Sequence, residues 1–87
     1  MRLEVLHVSD CPHVWALLDR LAEVTDVRVT TRLIETAADA ERYGMVGSPT
    51  LLVDGVDPFG GGGRPGMWCR LGVPSVEELR AVTAGGG

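Results

Sequence analysis

The sequence predicts one α/β domain with the order β-α-β-α-β-β-α and a four-stranded mixed sheet. Three observations carry this reading. Leu3 to Val8 is a short Leu- and Val-rich run that is apolar on both faces. Val14, Leu17, Leu18 and Leu21 follow it at the i, i+3, i+4, i+7 spacing of one buried helical face. Asp54-Gly55 then separates two apolar stretches, a strong signal for a two-residue hairpin turn.

The elements follow in order. A strand with apolar residues on both faces is expected at the centre of a sheet covered on two sides, which assigns that place to Leu3 to Val8. Pro12 suits the first position of a helix, where its missing N–H is not needed, and the helix is expected to run to about Val24. Val27, Val29, Thr31 and Leu33 alternate with Arg28, Thr30 and Arg32, the pattern of a half-exposed strand. Thr36 is placed to cap a second helix, Ala37 to Tyr43, and Gly44 to close it. Thr50 to Val53 is the third strand. A fourth is expected from Val56, antiparallel to the third, with Pro58 shortening it or placing it at an edge. Ser75-Val76-Glu77-Glu78 is a capping box that opens a last helix to about Thr83. The β-α-β unit at the start is expected to cross over right-handed. Residues 1–84 are assigned to the domain and 85–87 to a flexible glycine tail, with a further flexible stretch expected from Gly60 to Gly66.

Composition excludes several functions. The 87 residues are 45% hydrophobic and 23% charged, which is globular. Net charge is −4, and the arginines are scattered, so there is no electrostatic footprint for nucleic acid. No apolar run is long enough to span a membrane. Glu4 interrupts the N-terminal apolar run and no small-residue cleavage site follows, so no secretory leader is read and the expected compartment is the cytoplasm. Two cysteines there are expected as reduced thiols rather than a permanent disulfide. Gly60 to Gly63 lack the Gly-Lys-Ser/Thr of a phosphate loop.

Chemistry concentrates at Cys11. A thiol between a strand end and a helix start faces unpaired N–H groups and the positive end of the helix dipole, both of which favour the thiolate. His13 adds to this if protonated. The run Ser9-Asp10-Cys11-Pro12-His13-Val14 and the segment Gly47-Ser48-Pro49-Thr50 resemble the redox motif and the cis-proline segment of the thioredoxin and glutaredoxin superfamily. More narrowly, Cys-Pro-His, the block from Gly47 to Phe59 and Cys69-Arg70-Leu71 resemble small bacterial thioredoxin-like proteins, some labelled alkylmercury lyase-like. The resemblance implies a minimal thioredoxin-like fold, a cis Ser48–Pro49 bond, and a docking role for Ser48 and Pro49 toward an incoming protein or low-molecular-weight thiol or disulfide. Val14 stands where a dithiol protein of that superfamily has its resolving cysteine.

Cys69 is the candidate replacement. In such a fold the segment Gly60 to Pro74 emerges at the sheet edge that carries Cys11, so Cys69 can approach Cys11 through space. The leading reading is a thiol-disulfide oxidoreductase with Cys11 as attacking thiolate, His13 as electrostatic helper, Ser48 and Pro49 as ledge and Cys69 as resolving thiol, without a cofactor. The alternatives are a soft-metal or organometal binding protein using Cys11, Cys69 and His13 for zinc, copper or mercury, and a redox-inactive binding module. His7 is read as a core histidine, and Trp15 and Trp68 either as apolar cover for the site or as packing.

Overall fold

A computed structural model describes residues 1–59 and 73–84 together with the backbone of residues 66–69. Of the expected flexible stretches, 60–66 and 85–87, all but Gly66, whose backbone opens a strand, lie outside the described residues. The elements are β1 (Leu3–His7), α1 (His13–Val24), β2 (Val29–Leu33), α2 (Ala37–Tyr43), β3 (Val46–Ser48), β4 (Thr50–Val53), β5 (Gly66–Cys69) and α3 (Val76–Ala84).

β1 is central. It pairs in parallel with β2, Leu3 opposite Val29 through His7 opposite Leu33, and antiparallel with β4, Leu3 opposite Val53 through Leu6 opposite Thr50. Its alternation splits the core into two layers. Leu3 and Val5 pack with Leu17, Leu21, Leu51 and Leu79, which joins α1 and α3 to one face. Leu6 packs with Ile34, Ala40, Met45 and Leu52 under α2 on the other. Helices on both faces, α1 and α3 on one and α2 on the other, explain why β1 carries apolar residues on both of its sides.

The expected four-stranded sheet is not formed. The main sheet has three strands in the order β2-β1-β4, and β3 pairs with β5 in a separate parallel two-stranded sheet. The Asp54-Gly55 turn does form: both residues have positive φ, 52° and 83°, as a tight primed turn requires. Val53 and Val56 exchange both backbone hydrogen bonds, at 2.8 and 3.1 Å. The pairing stops at that single bridge. Pro58 has no N–H to extend a ladder, and the Asp57 carboxylate turns the chain by accepting from the Phe59 N–H at 2.9 Å. The turn is instead stitched to the start of β1. Asp54 N–H donates to the Arg2 carbonyl and Arg2 N–H donates to Asp54 Oδ1, both at 2.8 Å.

β2 also departs from expectation. From Thr30 onward every residue is exposed, and Leu33 is 45% exposed rather than inward-facing. β2 is an edge strand, so the apolar side of its alternation meets cover only at Val29, which packs on the α1–α3 layer. Its charged side is used: Arg32 pairs with Glu4 at 3.4 Å and lies 4.4 Å from the Tyr43 ring centroid.

Helix ends follow the sequence closely. Thr36 caps α2 by accepting from the Asp39 N–H at 3.0 Å, and Gly44 closes it in the left-handed region at φ 81°, where glycine carries no Cβ penalty. At α3 the capping box is reciprocal: Glu78 N–H donates to Ser75 Oγ at 3.1 Å and Ser75 N–H donates to Glu78 Oε1 at 3.0 Å. Ser75→Ala removes one of these bonds and is expected to cost about 1 kcal/mol. Urea denaturation checks this, and a cost below about 0.3 kcal/mol would show that the box adds nothing to α3.

Candidate functional site

Cys11 stands at the junction the sequence predicts. β1 ends at His7, Ser9 and Asp10 form a turn, and α1 begins at His13. The turn depends on Asp10, whose φ of 60° lies in the left-handed region, one that Asp tolerates better than most side chains. Pro12, with φ −68°, is the residue before the helix rather than its first residue, and no side chain caps α1. The Cys11 carbonyl accepts from the Val14 N–H at 3.3 Å, closing the first turn over the cysteine. Cys11 is only 5% exposed.

Cys11 nevertheless lines an open cleft of about 420 Å³ together with His7, Val8, Asp10, Pro12, Val14 and Trp15. Small-molecule sites typically begin at about 300 Å³. The walls are mostly apolar, and Trp15 stands at 72% exposure beside them. Trp15 thus lines the cleft and is not packed into the core. His13 is half-buried at the first position of α1 and is not among the described lining residues. The histidine that shares the cleft with Cys11 is His7, read from the sequence as a core residue. Its Nδ1–H donates to the Val8 carbonyl at 3.2 Å. The signal that would have found His7 is its position: the last residue of a central strand opens onto whatever follows the strand.

Ser48 and Pro49 belong to a tightly held segment. Their peptide bond is cis, as expected, and both residues are buried, Ser48 completely. Ser48 Oγ accepts from the Val8 N–H at 3.1 Å, a link across forty positions that ties β3 to the end of β1. Thr50 Oγ1 donates to the Gly47 carbonyl at 2.7 Å and accepts from the Val46 N–H at 3.2 Å, fixing the short β3 from within. The register of β3 with β5 sets Cys69 opposite Ser48. Cys69 is thus the last residue of a strand rather than part of an irregular loop, and its backbone is placed beside the residue that holds Val8. The side chains of Trp68 and Cys69 lie outside the described residues.

No protein-family model matches the chain, and comparison with curated proteins and with solved structures returned no match. The site is read from its own geometry.

A second concavity of about 410 Å³ is lined by Arg2, Glu4, Arg32, Leu52, Asp54 and Gly55. Glu4 pairs with Arg32 there and the Asp54 carboxylate accepts from the Arg2 backbone N–H, and it holds no nucleophilic thiol or hydroxyl among its lining residues. The Cys11 cleft is the better candidate on chemistry. Among the described residues no three His, Cys, Asp or Glu side chains gather as a metal-ligating group, and no helix is long and apolar enough to cross a membrane.

Proposed function

We propose that the chain is a thiol-disulfide oxidoreductase related to the thioredoxin superfamily, acting in the cytoplasm, with Cys11 as the attacking thiolate and Cys69 as the resolving thiol. The observation that carries this is the placement of the two cysteines. Cys11 lines a cleft with Val8, Val8 is bonded to Ser48, and Ser48 is the register partner of Cys69. Neighbouring strands lie about 4.8 Å apart, so the β3–β5 register sets the Cys69 backbone one strand spacing from Ser48, the residue that holds Val8.

The chemistry balances without a cofactor. The Cys11 thiolate attacks one sulfur of an external disulfide; the Cys11 S–S bond forms, the external S–S bond breaks, and one thiolate leaves. The Cys69 thiolate then attacks Cys11 Sγ of the mixed disulfide and expels the second thiolate. The protein loses two electrons and gains an intramolecular disulfide, and the external disulfide becomes two thiols.

Mass spectrometry after mild oxidation by a low-molecular-weight disulfide tests the pairing. Wild-type protein is expected as a monomer lighter by about two hydrogens, and Cys69→Ser is expected to accumulate the mixed disulfide at Cys11, because a thiol on the same domain acts at a high effective concentration. Intermolecular dimers alone would exclude Cys69 as the resolving thiol. A Cys11 that forms no mixed disulfide in Cys69→Ser would overturn the reading as a whole.

A further inference from the structure

We infer that the Cys11 cleft selects small disulfides that carry a cationic group close to sulfur, the disulfides of aminothiols. This rests on the thiol-exchange reading of Cys11 and goes beyond it by naming the substrate class.

Two lining residues carry the inference. Trp15 presents its ring to solvent at 72% exposure on the first turns of α1, and an exposed indole face is the strongest side-chain partner for an organic cation. Asp10 is exposed at the turn into the helix and lines the same cleft. Its carboxylate is the one fixed charge among the described lining residues, the others being His7, Val8, Cys11, Pro12, Val14 and Trp15. Aromatic face plus carboxylate is the pairing that recognises ammonium groups. The net charge of −4 adds a long-range pull of the same sign.

The positive end of α1 opposes this beside Cys11, where Asp10 and Trp15 both stand, but it amounts to only about half an elementary charge against the full charge of the Asp10 carboxylate, so the balance favours a cation.

The structure also favours a small molecule over a polypeptide. An extended peptide would dock by adding a strand to an open edge, supplying main-chain hydrogen bonds. Beside the cleft, Ser48 is fully buried and is already paired in register with Cys69 of β5. What remains is a compartment of about 420 Å³, the volume of a small ligand.

The test compares exchange rates of Cys11 in Cys69→Ser with cystamine, bis(2-hydroxyethyl) disulfide and oxidised glutathione. Each rate is divided by that of the same disulfide with N-acetylcysteine amide, which removes intrinsic reactivity. Cystamine is expected to lead the neutral disulfide by about fivefold, the size of one exposed cation–π contact, and oxidised glutathione to be slowest. Raising ionic strength should shrink the lead. Trp15→Ala and Asp10→Asn should each bring the ratio toward one, and Trp15→Phe should retain part of it. Asn is used at position 10 because it too tolerates positive φ. A ratio is read within each variant, so a general loss of reactivity does not imitate the result. Equal normalised rates, or oxidised glutathione in the lead, would overturn the selectivity and leave thiol exchange standing. A disulfide-linked basic peptide reacting faster than cystamine would overturn the assignment to small molecules. Absence of exchange with all three would remove the thiol reading and this inference together.

Discussion

Leu21→Ala is expected to lower the unfolding free energy by about 3 kcal/mol, the middle of the range for a fully buried leucine. Leu21 has no exposure and sits where α1 and α3 meet β1, in the layer formed with Leu3, Val5, Leu17, Leu51 and Leu79. A domain of 87 residues holds only about 4–13 kcal/mol in total, so this one truncation consumes a large share. At about 4–8 °C per kcal/mol for a chain of this size, the melting temperature should fall by roughly 12–24 °C. Leu33→Ala is the internal comparison. Leu33 lies on the edge strand β2 at 45% exposure, and its truncation should cost no more than about 1 kcal/mol. Urea denaturation of both variants checks the pair. Similar losses would mean that β2 is covered in solution and that the two-layer core is incomplete as described.

Thr50→Val is expected to cost about 2 kcal/mol although the two side chains have nearly the same shape. Thr50 is fully buried, and its hydroxyl bridges the Gly47 carbonyl and the Val46 N–H. Valine fills the space and withdraws the hydroxyl from both backbone groups, and a buried group deprived of a partner costs about 1–3 kcal/mol. The effect should also be local. β3 is three residues long and carries Ser48, which holds Val8 beside the cleft. Amide exchange at Val8 and Val46 should therefore accelerate more than global destabilisation explains, while Thr50→Ser, which keeps the hydroxyl, should protect both. Uniform acceleration across β1 and β4 would show that the hydroxyl stabilises the whole domain and does not hold β3 in particular.

The sequence by itself determined whatever depends on residues close together along the chain. The apolar period of α1, the capping residues Thr36 and Ser75, the left-handed Gly44 and the Asp54-Gly55 turn are all as the residues dictate, because capping and turn chemistry is settled within a few positions. Cys11 at the entry to α1 was legible for the same reason. Only the tertiary structure decided which strands pair. Asp54-Gly55 specified a turn, and the strand expected from Val56 ends after one bridge because Asp57 and Pro58 turn the chain away. β3 escaped notice because three residues containing a glycine carry no periodicity, and it is held by Thr50 from within and by β5 from outside. His7 and Trp15 entered the site for a similar reason: strand-end and helix-face positions are neutral in sequence until the fold sets them around a cleft. Cys69 was placed near Cys11 through a strand order that the protein does not adopt. It arrives opposite Ser48 by a different pairing, because backbone hydrogen bonding fixes register between segments far apart in the chain, and no local pattern encodes which partner a strand will find.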